Sequence, residues 1–209
     1  VKVNEADLAE TAARLDADAD RCRPTAESFV NPAKALALGL AGSVPIVWGS
    51  SPLATVAARR VGDTLSANAR YPVVAGALGE AGRGRVGLLD GVFGGLSEAE
   101  RDIFADPGEE VSGDTRLRVV LLRDGGLNPE DDADEPLVVE ERRADAVQTL
   151  AERRGVRCDV VTAEGGSALE RLASLIAVPD FASVYLALAH GLDPMAVPAV
   201  REMKELSNP

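Results

Sequence analysis

Gly49, Ser50 and Ser51 stand between an apolar run, 44–48, and Pro52, where a long helical pattern begins. A strand that ends in small polar residues and feeds a helix N-terminus brings free backbone N–H groups and hydroxyls to one spot, the arrangement that binds anions. The chemistry this suggests is phosphate recognition by Ser50 and Ser51. The same residues have a plainer use, because Ser51 suits any helix as N-cap and Pro52 suits any first helical position. Gly165, Gly166 and Ser167 form a second junction of this kind and read first as a turn and a cap. His190, the sole histidine, precedes Gly191 near a helix end, where a cationic ring favours the negative end of the dipole. Asp131, Asp132, Asp134 and Glu135 cluster without the spacing of a calcium loop, so neither a metal site nor a cofactor is predicted.

The elements that must position these groups alternate. Residues 4–22 read as an amphipathic helix with Leu8, Ala12 and Leu15 on one face, and a second helix starts at Asn31 and Pro32 and stops before Gly42. Strands are predicted at 44–48, 72–75, 85–89, 117–122 and 156–161. Between them lie a helix from Pro52 carrying Leu53, Val56, Ala57, Val61 and Leu65, and another over 136–154 with a basic last turn. A helix opens at Ser167, and Asp180 and Asp193 are expected to cap two final ones. Trp48 reads as core, and the acidic stretch 124–136 as a mobile loop. Short apolar strands alternating with amphipathic helices imply a mostly parallel sheet covered on both faces, a three-layer α/β/α sandwich of flavodoxin-like form. Residues 1–30 form an N-terminal helical segment packing on a domain of 31–209, and ligands in such folds collect where Gly49, Ser50 and Ser51 would lie.

Composition narrows the classes. The 209 residues are 46% apolar and carry 34 acidic against 22 basic side chains, a formal charge of −12. That balance, with no concentrated basic patch, argues against nucleic acid and anionic membranes as partners. No apolar run reaches the ~20 residues of a membrane span, and Cys22 and Cys158 read as free thiols of the cytoplasm.

Two segments of the chain carry a family resemblance. Asn31, Pro32, Ala33 and Lys34, then the 44–52 strand and turn, then Leu65 to Pro72 through Ser66, Ala67, Asn68, Ala69, Arg70 and Tyr71 occur in one order. Ser183 to Leu188, then Gly191, Leu192, Asp193 and Pro194, then Val200 to Lys204 follow at the C-terminal end. In this order they resemble the second sugar-isomerase (SIS) domain of the archaeal and bacterial bifunctional phosphoglucose/phosphomannose isomerases. The Ala- and Arg-rich wording resembles the degenerate actinobacterial members sometimes called TobH-like. The resemblance implies a homodimer and a sugar phosphate as ligand. It also implies a preceding N-terminal SIS domain that supplies most of the phosphate-binding hydroxyls. Val1 in place of Met fits either the C-terminal part of such a protein or a free-standing domain.

The departures concern the catalytic set. The family's proton-shuttling glutamate falls on Ala67, and a methyl group cannot carry a proton. Its ring-opening histidine falls on Arg83, which stays charged and transfers no proton at neutral pH, yet can bind phosphate. Lys204 matches the lysine the family keeps near its terminus. Asn68 and Arg70, in the family's active-site segment, join Ser50 and Ser51 as ligand-binding candidates, although a helix cap and a surface charge would account for them. The reading that follows is a sugar-phosphate-binding SIS domain whose catalysis is impaired. Two alternatives stand beside it: an active aldose–ketose isomerase that recruits Lys204 or Glu80 as base, and a ligand-free dimerisation or docking module.

Overall fold

The computed structural model describes residues 3–95, 116–125 and 136–207. Two helices, α1 (Glu5–Cys22) and α2 (Pro32–Leu40), precede β1 (Ser43–Gly49). Then come α3 (Pro52–Ala69), β2 (Val74–Ala77), the one-turn α4 (Leu78–Ala81), a 3₁₀ turn (Arg85–Asp90) and β3 (Arg116–Arg123). The chain ends in α5 (Pro136–Arg153), β4 (Arg157–Thr162), α6 (Ala168–Ala189) and α7 (Pro198–Ser207). The described strands form one sheet in the order β2-β1-β3-β4, with every pair parallel.

Alternation along the central strands builds the three layers. Val47, Val120 and Leu122 point into a core shared with α2, α3 and α6. Ile46, Trp48, Leu117, Val119 and Leu121 point the other way, against Ala144, Val147 and Ala151 of α5. Strands buried on both faces must be apolar throughout, which is why 44–48 and 117–122 read as continuous apolar runs. Trp48 is fully buried, as its place in the sequence suggests.

Several boundaries differ from expectation. The strand at 72–75 is β2, Val74–Ala77, two residues later. The segment 85–89 is a 3₁₀ turn rather than a strand. Val86 and Leu89 lie three apart and share its inner side, the period of that helix, while flanking Gly84 and Gly91 confine it. No helix starts at Asp180, because α6 runs unbroken through Pro179. Proline costs about 3 kcal/mol inside a helix, and burial between the sheet and α1, α2 and α3 outweighs it here. By length and apolar content α6 would also suffice to cross a membrane, but more than half of its most apolar stretch is covered within the chain. Asp193 starts a turn, its Oδ1 accepting from the Met195 N–H at 2.9 Å, and the last helix begins later, at Pro198.

In α1 the buried side is not the expected one. Leu8 and Leu15 are 55% and 41% exposed, while Thr11, Asp18 and Cys22 are buried. Ion pairs decide the orientation: Arg14 reaches Glu164 at 2.7 Å and Glu170 at 3.4 Å, and the Tyr185 hydroxyl donates to the Cys22 carbonyl at 2.5 Å. Burial raises the Asp18 carboxyl above its ordinary pKa, with Arg21, 2.6 Å away, opposing it.

Candidate functional site

Ser50 and Ser51 sit where the sequence places them, at the carboxyl end of β1 and the start of α3. Gly49 makes the junction possible. A Cβ there would lie 2.2 Å from the Ala54 carbonyl carbon, so only glycine lets the strand end meet the first helical turn. Ser51 caps α3, its Oγ accepting from the Ala54 N–H at 3.0 Å.

Both hydroxyl protons are already engaged. Ser50 Oγ donates to Glu141 Oε1 at 2.6 Å and accepts from the Asp124 N–H at 3.2 Å. Ser51 Oγ donates to Asp124 Oδ2 at 2.6 Å. Each carboxylate is neutralised in turn: Arg171 Nε meets Asp124 Oδ1 at 2.8 Å, and Arg123 Nε meets Glu141 Oε2 at 2.6 Å. Arg123 also reaches Asp145 at 2.8 Å. Burial works against the Arg123 charge, but Glu141 and Asp145 outweigh it and raise its pKa. All four central groups are buried, Ser50 at 2%, Ser51 at 5%, Asp124 at 6% and Glu141 at 5% exposure.

This network fills a particular place. In the order β2-β1-β3-β4 the connections diverge between β1 and β3, and there a parallel sheet opens its ligand crevice. Here the crevice is occupied by the chain's own serine–carboxylate–arginine contacts.

The open space lies beside it. A cleft of about 550 Å³, within the range of small-molecule sites, is bounded by Ser50, Ser51 and Pro52 and by Arg59, Glu80, Arg83, Glu140 and Arg143. Arg143 pairs with Glu140. Among the described residues, Arg59 and Arg83 make no ion pair. Glu140 packs over Gly79, where a Cβ would stand 2.8 Å from its Oε1, and its Oε2 is buried without a hydrogen bond. The cleft therefore offers guanidiniums without ion pairs among the described residues, a helix N-terminus and the carboxylates of Glu80 and Glu140.

The other candidates lie elsewhere. Ala67, Asn68 and Arg70 occupy the far end of α3, about 25 Å from Ser51 at 1.5 Å per residue. Asn68 Nδ2 donates to Ser183 Oγ at 2.8 Å, and Arg70 donates to the Asp193 carbonyl at 3.1 Å and to the Ala196 carbonyl. Arg70 holds φ at 60°, closing the helix. Next to it the Tyr71 hydroxyl lies 2.6 Å from His190 Nε2, so the sole histidine is tied to a tyrosine at the end of α6. Lys204 lies on α7 beside a shallow groove with Met195, Val200 and Arg201. The structure thus joins Ser50, Ser51 and Arg83, and separates them from Ala67, Asn68 and Arg70. No group of residues suited to a metal ion occurs among the described residues; Asp131, Asp132, Asp134 and Glu135, with most of the acidic stretch 124–136, lie outside them.

Glu141 and Asp124 were not singled out from the sequence. Two signals could have found them. Glu141 falls on the buried stripe of Ala144, Val147 and Ala151, a carboxylate on an apolar face, and Asp124 directly follows a buried parallel strand.

Comparison with known proteins agrees with this architecture. One similar structure is that of a glucose-6-phosphate isomerase like protein from Thermus thermophilus, 20% identical with a TM-score of 0.64. It matches 96% of this chain and 56% of its own. Another, of a hypothetical protein from the same organism, is 12% identical with a TM-score of 0.71, over 96% of this chain and 49% of its own. The chain therefore spans about half the length of either structure. No curated protein matches it. The family model of the bacterial phospho-glucose isomerase C-terminal SIS domain matches residues 29–206, and the chain belongs to that family.

Proposed function

We propose that this chain is a sugar-phosphate-binding SIS domain that does not isomerise its ligand. The observation that carries the non-catalytic part is Ala67, about 25 Å along α3 from the Ser50 cleft, so that part concerns a site completed at that end of the helix, while Glu80 and Glu140 line the cleft itself. Moving a proton between C1 and C2 of an aldose requires a base within hydrogen-bond reach of the carbon acid, and a methyl group stands at the position matched to the family's glutamate. Its neighbours do not replace it, since Asn68 and Arg70 are hydrogen-bonded within the chain. For binding, the support is the cleft at the α3 N-terminus, where Arg59 and Arg83 are without carboxylate partners among the described residues and can meet a phosphate. In this reading Ser50 and Ser51 shape the cleft and hold the start of α3, and a phosphate draws on the arginines and helix amides.

The test pairs turnover with binding. Losing a general base lowers the chemical step about 10²–10⁴-fold, so conversion of glucose 6-phosphate or mannose 6-phosphate falls below about 0.1 s⁻¹ in a coupled assay. Either sugar phosphate at 100 times its dissociation constant adds about 2.7 kcal/mol, a rise in melting temperature of roughly 5–10 °C for a domain of this size. Turnover near ~10 s⁻¹ would overturn the non-catalytic part and point to Glu80, Glu140 or Lys204 as base. Absence of any thermal shift would overturn the binding part.

A second reading, docking, draws on α7. None of its residues is buried, and Val200, Met203 and Leu206 are exposed. A ten-residue helix of this kind gains little stability alone, so a second copy or a preceding SIS domain is the fitting cover. The shares of 56% and 49% over which the two similar structures match support the preceding domain. A cytoplasmic setting is in keeping with Cys22 and Cys158, which are both free.

A further inference from the structure

We propose a second anion site, for a phosphomonoester, at the opposite edge of the sheet from the Ser50 cleft. A cavity of about 210 Å³ opens there between the starts of β1, β3 and β4, with room for roughly seven waters at about 30 Å³ each. Among the described residues its wall carries Arg116, Arg118, Arg154 and Arg157 and no carboxylate, in a chain whose formal charge is −12. Asp159 and Asp90 offset part of this charge behind the wall, and the guanidinium edges that still face the cavity, against the sign of the whole chain, attract an anion.

The arginines are placed rather than scattered. Arg118 lies over α2 at Gly39, where a Cβ would sit 2.4 Å from its Nη2, so the missing side chain leaves the guanidinium its room. Asp159 fixes the same guanidinium through Nε at 2.5 Å and Nη2 at 2.9 Å, and Nη1 has no partner among the described residues. Arg154 is held by Asp90. Arg157 faces Arg118 in the β3–β4 register, is exposed, and makes no ion pair among the described residues. Asp159 neutralises Arg118 in that pair, so the charge left uncompensated among the described residues is that of Arg157. A carboxylate would be satisfied by a single guanidinium fork, whereas a phosphoryl group offers three oxygens to several donors at once. Phe93, 49% exposed on the same wall, gives the organic part of a monoester an apolar surface.

Titration of the full chain with phenyl phosphate, followed by amide and arginine Nε–H NMR shifts, tests the site. Saturable shifts are expected at Gly42, Gly155 and Arg157. Arg157→Gln removes one charge-assisted contact and weakens them about 10-fold or more. The shifts persist in the Arg59→Gln/Arg83→Gln double variant, which disables the Ser50 cleft, so failure at one site is distinguishable from failure at the other. No saturable shift at these residues in the unmodified protein up to about 20 mM, equivalent to a negligible affinity, would overturn the proposal. So would an unchanged affinity in Arg157→Gln, or loss of the shifts in the double cleft variant.

Discussion

Replacing Arg123 by methionine tests whether the plugged crevice is a dry, paired network. Glu141 is 5% exposed and its two oxygens have one partner each, the Ser50 hydroxyl and the Arg123 guanidinium. Without Arg123 the carboxylate stays buried with a single neutral donor. Breaking a buried pair in this way costs about 3–5 kcal/mol, because the remaining charge is uncompensated. The second leg of Arg123, to Asp145, adds little: that carboxylate is 65% exposed, and exposed pairs contribute about 0–1 kcal/mol. With a urea m-value near 2–3 kcal/mol/M, Arg123→Met lowers the denaturation midpoint by roughly 1–2 M. The double variant Arg123→Met/Glu141→Met removes both charges, and an apolar pair of similar volume is commonly neutral, so it regains stability to within about 1 kcal/mol of the parent. The second substitution therefore restores about 2–4 kcal/mol of what the first removes. If the single variant loses less than about 1 kcal/mol, or the double variant is no better than the single one, Glu141 is hydrated and the crevice is open after all.

Asp18 and Cys158 give pH-dependent expectations of definite sign. Burial raises the Asp18 carboxyl, so stability falls as pH rises from the unfolded value through the raised folded one; Asp18→Asn stabilises at pH 7 by on the order of 1 kcal/mol and by less at pH 4, and urea midpoints at the two pH values that show the reverse refute it. Burial, with Asp159 and Glu152 adding to it, pushes the Cys158 thiol from 9.0 up to about 12, so its alkylation by iodoacetamide at pH 8 is about 10³-fold slower in the native chain than in urea. The folded chain alone keeps that proton between about pH 9 and 12, so its stability declines across this window; a Cys158→Ala variant with the same decline would count against the assignment.

What the sequence makes legible is local. The apolar run before Gly49, the cap at Ser51 and the proline after it specify the β1–α3 junction because strand burial, capping and proline geometry act within a few residues. The order of layers follows from the same pattern. Orientation of α1 does not, since its inward face is chosen by Arg14 and Arg21 meeting Glu164 and Glu170, more than 140 residues away in the chain. The 85–89 segment misleads for a related reason: a few apolar residues fit a strand or a 3₁₀ turn equally, and none of the described strands pairs with it. At the candidate site the serines are visible in the sequence, but their engagement is not. Nothing local to Ser50 announces a carboxylate 91 positions later that takes its proton.

The length of α3 bears most directly on function. Ala67 and Arg83, which the sequence resemblance matches to the family's glutamate and histidine, belong to regions at opposite ends of an 18-residue helix, with Arg83 beside Pro52 and Arg59 in the cleft. At 1.5 Å per residue that helix is about 27 Å long, more than a hexose phosphate can span. Proton transfer at one sugar carbon needs its acid and base within hydrogen-bond reach of the same ligand. Within this chain alone the two positions therefore cannot serve one substrate, whatever residues fill them. A complete site would draw one position from this chain and the other from a second copy or domain. Restoring glutamate at position 67 alone would then leave an isolated chain inactive, whereas the cleft at the α3 N-terminus, with Arg59 and Arg83 on one wall, keeps its phosphate-binding geometry without help. On the proposed reading, binding and catalysis thus have different structural requirements, and the single chain supplies those of binding alone.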